Sequence, residues 1–267
     1  MEIIGLKNSP EESGSEARGL ELKITDLKSG VRDANRVNVF INGEFYFSLD
    51  VAQVVDYRLK IGKILTPAEV SELKHASAFG KLYSSTLEWV LMRPRSIKET
   101  REHLQNKLFK LRIDNKRRAE TKEKMKTDPE FREKARKLKI RTRERGEFTS
   151  DDIENVIKKM VEKKYLDDRK FAEWFIENRF SRKGVSRARL RQELAKKGVE
   201  KNLVEELFSE SSRDEAGEVR KVILKRGGKT EPQKLLAYLV RHGFGYEMSR
   251  EMVEKYTEDP EEFSKED

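Results

Sequence analysis

Cysteine is absent from this chain of 267 residues, and long apolar runs are absent as well. The lack of cysteine excludes a disulfide framework, a thiolate metal site and a cysteine nucleophile. No apolar run reaches the roughly 18 residues that a membrane-spanning helix needs. The N-terminus has no apolar segment next to basic residues, which argues against a secretory signal peptide. We therefore expect a cytoplasmic protein that does not enter a membrane.

Histidine is scarce, and no set of residues has the spacing of a catalytic or metal site. The histidines lie far apart without metal-ligand spacing, at His75, His103 and His242. Asp167 and Asp168 form a carboxylate pair, but acidic residues also cap the first turn of a helix, which is the favoured interpretation. The GGKT sequence at 227–230 ends like a P-loop but lacks the upstream glycine and the preceding strand. We predict no catalytic residue, no metal and no cofactor.

Charged residues, in contrast, are abundant. They make up 40% of the chain, hydrophobic residues make up 36%, and the mean hydropathy is −0.84. This composition suits several thin helical units, because each needs only a narrow apolar stripe. The formal net charge of +9 indicates a polyanionic partner, of which nucleic acid is the commonest. A well-solvated surface without such a partner is the alternative.

The N-terminal quarter of the chain predicts a small β region. Residues 1–18 are polar and lack periodicity, which predicts a disordered tail. Within residues 19–74, the runs VNVFI and EFYFSL flank Asn42–Gly43. Asn-Gly favours a two-residue hairpin turn, because both positions accept positive φ. We therefore predict a small antiparallel sheet with linking helices.

The rest of the chain predicts three tandem three-helix repeats. The segments SIKETREHL, SRARLRQEL and EPQKLLAYL align as middle helices, and each follows a basic or glycine-containing turn: MRPR, SRKGV and KRGGKT. The predicted boundaries are 75–164, 165–210 and 211–257 for the repeats, and 258–267 for an acidic tail. We therefore predict a mainly α fold, with the repeats in an elongated array.

A basic insert interrupts the first repeat at residues 105–148. It contains 17 Lys and Arg against 8 Asp and Glu, a net charge of +9 that equals the charge of the whole chain. The sequence predicts charged helices on either side of Asp128–Pro129, since proline disfavours the helical conformation of the preceding residue. The closing helix of the repeat is then displaced to Ser150–Lys163. A solvated hairpin or loop is one interpretation, and a basic arm for phosphates is the other.

Several segments resemble one known family. The stretch YLDDRKFAEWFIENRFSRKGVSRARLRQELAKKGV, residues 165–199, closely resembles the second repeat of the RecX family, bacterial regulators of the RecA recombinase. RVNVFINGEFYFSLD and LKIGKILTPAE resemble the strand region of the family. LMRPRSIKETREHL and LLAYLVRHGFGYEMSREMV resemble its first and third repeats. The resemblance covers about residues 20–104 and 149–256, and the insert departs from it.

The resemblance implies a non-enzymatic regulator that binds RecA and the RecA–DNA filament. It implies that the protein limits strand exchange and ATP hydrolysis in homologous recombination, DNA repair and the SOS response. We expect a monomer that binds single- or double-stranded DNA weakly. Two alternatives remain open: a DNA-binding protein whose three-helix units contact base edges, and a helical-repeat adaptor without nucleic-acid contact.

Candidate partner contacts are basic and concentrate in the second repeat. Phe171, Leu190 and Leu194 follow helical spacing and are assigned to packing. Trp174 is assigned to partial burial, with stacking on a base as the alternative. Arg187 and Arg191 are four residues apart and are predicted to share a face that a partner contacts. The full set of candidate partner or DNA contacts is Arg93, Arg95, Lys116, Arg117, Arg118, Arg179, Arg182, Lys183, Arg187, Arg189, Arg191, Lys196 and Lys197.

Overall fold

A computed structural model describes residues 21–30, 33–140, 142, 146–180, 184–211 and 214–265. These residues form twelve α-helices and a small antiparallel sheet, which confirms the predicted mainly α class. The predicted tail at 1–18 and the candidate residues Arg182 and Lys183 lie outside the described residues. The chain divides into two units between Lys81 and Leu82, and each is considered separately.

The N-terminal unit contains the sheet. Its four strands are β1 Leu22–Ser29, β2 Arg36–Ile41, β3 Glu44–Asp50 and β4 Ile64–Leu65, and their order is β3-β2-β1-β4 with antiparallel pairing. Asn42 and Gly43 have φ angles of 49° and 82° and form the predicted turn between β2 and β3. The helix α1, Val51–Asp56, follows directly.

A long helix covers one face of this small sheet. Helix α2 spans Pro67–Leu91 and begins with a capping box, in which Glu69 Oε2 accepts a 2.7 Å hydrogen bond from the Thr66 amide. Its residue Leu73 is buried in one apolar cluster with the sheet residues Ile24 and Phe47. Because a sheet of this size is marginal alone, this cluster supplies most of its stability.

The helices that follow in the C-terminal unit are α3 Ile97–Thr127, α4 Pro129–Lys137, α5 Ser150–Glu162, α6 Asp168–Phe180, α7 Arg187–Lys196, α8 Lys201–Glu210, α9 Glu215–Arg226, α10 Pro232–Arg241, α11 Tyr246–Glu258 and α12 Pro260–Lys265. Helices α6, α7 and α8 enclose one apolar cluster, to which Phe171, Leu190 and Leu194 all contribute. Helices α9, α10 and α11 enclose another around Val219 and Leu239. The residues assigned to packing from their spacing are therefore buried.

The third cluster extends beyond the predicted end of the third repeat at residue 257. Phe263 of α12 is only 4% exposed and belongs to the same cluster as Val219. Arg220 donates a hydrogen bond to the carbonyl oxygen of Phe263 and lies 4.8 Å from its ring centroid. The sequence interpretation overlooked this helix because acidic residues surround its one large apolar side chain.

No helix boundary separates the insert from the middle helix of the first repeat. The middle helix of the first repeat continues through it as α3, a single helix of 31 residues, and Leu108 and Asn115 inside the insert are buried. The chain then turns at Asp128–Pro129 as predicted. Asp128 Oδ1 accepts a 2.9 Å hydrogen bond from the Phe131 amide, and Arg132 donates to carbonyl oxygens at the end of α3. The insert is thus a helical hairpin with a hydrogen-bonded turn.

A serine at the start of each of two middle helices links successive repeats. Ser96 Oγ donates a 2.8 Å hydrogen bond to the Lys197 carbonyl at the end of α7. Ser186 Oγ donates a 2.6 Å hydrogen bond to the His242 carbonyl at the end of α10. Each hydroxyl also caps its own helix by accepting an amide hydrogen bond. Both serines are fully buried, so each satisfies its own helix and the next repeat together.

A carboxylate completes each of these two contacts. Asp168 Oδ1 accepts a 2.8 Å hydrogen bond from the Ile97 amide, which is the first N–H of α3. Glu215 Oε1 accepts the equivalent hydrogen bond from the Arg187 amide of α7, at 3.1 Å. These amides have no partner within their own helices, so the next repeat satisfies them. We call the contacts around Ser96 and Ser186 the first joint and the second joint.

Candidate functional site

A basic cleft of about 1080 Å³ lies where the turns before the middle helices meet. Arg93 belongs to the turn before α3, Val185 to the turn before α7, and Arg226 to the end of α9, where the turn to α10 begins. The joints position these turns because they fix the starts of α3 and α7 against the following repeat. The cationic residues that line the cleft are Arg93, Arg179, Arg189, Lys197, Lys221, Lys225 and Arg226.

Glu99 is one of two carboxylates among the described residues of this lining, and several cations surround it. Its Oε1 atom lies 2.6 Å from Arg93 Nη2, 3.1 Å from Arg95 Nη1 and 3.9 Å from Lys197 Nζ. Burial alone would raise the pKa of Glu99, but the hydrogen bond from Arg93 and the charges of Lys197 and Arg93 outweigh it and lower the pKa. One ionised carboxylate therefore faces more than one positive charge, and the cleft keeps a positive excess.

On the other side of the cleft, Glu193 likewise pairs with more than one cation. Arg179 Nη2 lies 2.9 Å from Glu193 Oε2, and Arg189 Nε lies 3.2 Å from Glu193 Oε1. Both arginine side chains are half exposed, whereas Glu193 is mostly buried. The carboxylate fixes the two guanidinium groups at the surface. An anion that enters the cleft therefore meets cations that have already lost much of their rotamer freedom.

The third repeat contributes a stack of side chains. The Arg226 guanidinium lies 4.0 Å from the ring centroid of Tyr238, and the Tyr238 and His242 rings stack with centroids 3.8 Å apart. His242 Nδ1 lies 2.7 Å from the Tyr238 carbonyl oxygen. Lys225 is exposed beside this stack. Because the tyrosine orients the guanidinium, Arg226 adds a fixed positive charge to the cleft.

Trp174 forms part of the wall between the first and second repeats. Its ring is partly buried against the cluster of α6, α7 and α8, as predicted, and the Arg93 guanidinium lies 5.3 Å from its centroid. The cation covers the ring, so Trp174 orients Arg93.

Four of the candidate residues predicted from the sequence lie together in the cleft: Arg93, Arg179, Arg189 and Lys197. Arg187 and Arg191 share a face as predicted, but this face packs over Phe208, at 5.6 and 5.2 Å from its ring centroid. Arg191 also forms two hydrogen bonds with Glu205, of 2.6 and 2.8 Å. The structure therefore gives this pair contacts within its own bundle, whereas the sequence interpretation assigned it to a partner.

The remaining candidates fall into two groups. Arg95 and Arg118 point inward: the Arg95 side chain is 12% exposed and lies 3.8 Å from the Trp89 ring centroid, and Arg118 Nε lies 2.9 Å from Asp114. Both are held by intramolecular contacts. The exposed group lies outside the cleft and consists of Lys116, Arg117 and Lys196.

The sequence interpretation missed the cleft residues of the third repeat, which include Lys225, Arg226 and Tyr238. A signal for the first two was present, because KRGGKT occupies the same place in its repeat as MRPR and SRKGV in theirs. Their convergence depends on the joints, which connect residues far apart in sequence.

The acidic pair that resembled a metal site has capping contacts. Asp167 precedes α6, and its Oδ1 atom accepts a 3.0 Å hydrogen bond from the Arg169 amide in the first turn of that helix. Asp168 caps α3 in the neighbouring repeat through Ile97. In the part of the chain that the structure describes, no group of three or more His, Cys, Asp or Glu residues could hold a metal ion. No helix of the described residues is both long and apolar enough to cross a bilayer.

The fold and the cleft define the class of protein: a chain of tandem three-helix repeats with a basic cleft between them. A family profile described as "RecX, second three-helix domain" matches residues 167–207. A second profile, "Regulatory protein RecX N-terminal domain", matches residues 22–66. The first matched segment contains the apolar cluster of α6, α7 and α8, and the second contains the sheet.

Curated relatives extend the match to most of the chain. Regulatory protein RecX of Listeria monocytogenes serotype 4b is 24% identical over 237 residues, which cover 86% of this chain and 74% of the relative. Regulatory protein RecX of Bacillus pumilus is 23% identical over 252 residues, covering 91% and 81%. A solved crystal structure of regulatory protein RecX aligns with a TM-score of 0.57 at 17% identity and covers 88% of this chain and 99% of that one. Two RecX profiles thus match separate segments of this chain, and proteins named regulatory protein RecX are similar to it over most of its length.

Proposed function

We propose that this protein binds the RecA–DNA filament through the basic cleft and restrains RecA without catalysing a reaction itself. The observation that carries the proposal is that seven cationic side chains from three repeats converge among the described residues of the cleft, where Glu99 and Glu193 are the lining carboxylates and Lys221 pairs with Glu218. The similarity to proteins named regulatory protein RecX supports the choice of partner. On this proposal the protein acts as a monomer in the cytoplasm and lowers ATP hydrolysis and strand exchange by RecA.

The chemistry of the cleft suits an anionic surface. Each of its two carboxylates is already shared by at least two cations, so a phosphate or an acidic side chain gains attraction without displacing a buried partner. The arginines are held in place before binding, by Glu193 on one side and by Trp174 and Tyr238 on the others. Less conformational entropy is then lost when the complex forms.

A charge-matched pair of variants tests the proposal. The cleft variant replaces Arg179, Lys197 and Lys225 by glutamine, which leaves Glu193 paired with Arg189 and Glu99 paired with Arg93. The control variant removes the same charge at exposed positions outside the cleft: Lys158, Lys170 and Lys201. The measurements are filament affinity across a salt titration, RecA ATP hydrolysis and thermal stability.

We expect the cleft variant to lose roughly tenfold or more in filament affinity, since each exposed ion pair is worth about 0.5 kcal/mol. Its inhibition of RecA should weaken in parallel, and its melting temperature should stay close to that of the wild type. The control should resemble the wild type. Equal losses in both variants would contradict the assignment of the cleft. A wild-type protein that leaves RecA turnover unchanged over a wide concentration range would contradict the proposed function itself.

A further inference from the structure

Five exposed residues lie on the outward face of α3 within the insert: Phe109, Lys110, Ile113, Lys116 and Arg117. We call them the α3 stripe. The buried residues Leu104, Leu108 and Asn115 recur every three or four positions and define the opposite, inward face. At about 1.5 Å of rise per residue, the stripe is roughly 12 Å long. It lies outside the basic cleft.

Phe109 is the unusual member of the stripe. Its side chain is 65% exposed, and within the described part of the chain no aromatic or cationic side chain stacks on its ring. Two half-buried phenylalanines, in contrast, are covered by cations: Lys124 lies 4.6 Å from the ring centroid of Phe131, and Arg179 lies 5.4 Å from that of Phe175. The hairpin thus presents an open aromatic face next to positive charge.

The three cations of the stripe have no carboxylate within ion-pair distance among the described residues. Their neighbour Arg118 differs, because it turns inward to Asp114. Helical hairpins of high charge usually pair their cations with acidic residues three or four positions away. The three cations of the stripe therefore lie beside an open aromatic ring, with the exposed carboxylate of Glu120 one helical turn beyond Lys116 and Arg117.

We propose that the α3 stripe binds single-stranded nucleic acid. An unpaired base stacks on Phe109, Ile113 supplies apolar surface beside it, and Lys110, Lys116 and Arg117 contact the flanking phosphates. An aromatic platform beside cations is the combination that binds single strands without sequence preference. A duplex offers phosphates but no unpaired base for Phe109. A protein partner fits less well, because the centres of protein interfaces are depleted in lysine.

This inference goes beyond the proposed function, since it concerns another surface and needs no RecA. The test therefore uses the full-length protein and a fluorescently labelled oligothymidylate, with RecA absent. Affinity is measured by anisotropy across a salt titration for the wild type and three variants. Phe109→Leu removes the ring but keeps apolar volume. The triple variant K110Q/K116Q/R117Q removes the charge of the stripe.

The matched control is the triple variant K122Q/K134Q/R136Q, which removes the same charge from exposed positions elsewhere on the hairpin. Phe109→Leu should weaken binding roughly fivefold or more, which corresponds to the loss of one base–aromatic stack. The triple stripe variant should reduce the slope of log affinity against log salt by about 2, the value expected when three single-strand phosphate contacts are lost. The control should change both quantities much less.

Circular dichroism confirms that each variant retains its helices, which is expected because all the replaced side chains are exposed. Unchanged affinity in Phe109→Leu would overturn the stacking contact, and equal losses in the two triple variants would overturn the stripe. Binding of a duplex of the same length with equal affinity and equal dependence on Phe109 would overturn the choice of single strands. Binding of a polyglutamate peptide with that same dependence would show that the stripe takes acidic protein segments.

Discussion

Replacing Gly243 by alanine should weaken the second joint. Gly243 follows the His242 carbonyl that accepts the Ser186 hydrogen bond, and its φ is +86°. A Cβ atom added there would lie 2.8 Å from Ser186 Oγ and 3.1 Å from the Ala188 Cβ. Neither neighbour is the free end of a flexible side chain, because Ser186 is a buried helix cap and Ala188 lies one residue inside α7. The repeats must therefore separate slightly.

Two contributions set the size of the effect. An alanine in the left-handed region costs about 1–2 kcal/mol. Loss or distortion of the buried hydrogen bond between Ser186 and His242 adds about 1 kcal/mol, and somewhat more if the carbonyl is left without a partner. The free energy of unfolding should thus fall by about 2–4 kcal/mol.

Gly62→Ala provides the control for backbone strain. Gly62 has a φ of +90° and no atom within 4 Å of an added Cβ, so its substitution carries the strain without the clash. Chemical denaturation followed by circular dichroism measures both variants. Amide hydrogen exchange at Arg187, whose N–H donates to Glu215 in the same joint, reports locally. Gly243→Ala should accelerate that exchange and Gly62→Ala should not. Equal destabilisation and unchanged Arg187 exchange would refute the joint as described.

Three further predictions concern single side chains. Phe263→Ala should destabilise the third cluster by about 3–5 kcal/mol in urea denaturation, since the ring is buried. Burial, together with the charges of Asp167 and Glu200, raises the pKa of Asp168 in the folded protein. The protonated side chain therefore stabilises the fold, and this contribution to the free energy of unfolding decreases as pH rises above the ordinary pKa of 3.8. Asp168→Asn should keep the acceptor for α3 and flatten the melting temperature over that acid range. Burial and nearby cations lower the pKa of His103 in the folded protein. The melting temperature should therefore fall as pH drops through the ordinary pKa of 6.5. His103→Phe should remove this decrease when melting temperatures are measured over the same pH range.

The local elements could be predicted because their causes lie within a few residues. Asn42–Gly43 specifies the hairpin turn directly, and the spacing of Leu190 and Leu194 specifies the buried face of α7. The turn at Asp128–Pro129 follows from the restricted conformation of the residue before proline.

The site could be predicted only in part because its geometry depends on long-range contacts. Helical spacing places Arg187 and Arg191 on one face, but it cannot show that Glu205 on α8 pairs with Arg191. It also cannot show that Ser96 meets a carbonyl 101 residues later, which is what brings the basic turns together. Four of the cations that line the cleft were among the sequence candidates, but helical spacing could not show which candidates meet there.

The joints also specify which groups a further repeat of the same kind would need. In the third repeat, the position equivalent to Ser186 is Glu231, which has no hydroxyl, and the next residue is Pro232, which has no amide hydrogen. At the opposite end, α3 runs on for 31 residues, so the first repeat has no helix terminus and glycine where Lys197 and Gly198 stand in the second. The third repeat therefore lacks the serine and the amide of a joint, and the first repeat lacks the helix end that would accept them. A further repeat docked on the third through the same kind of joint would require a serine at 231 and an N–H at 232.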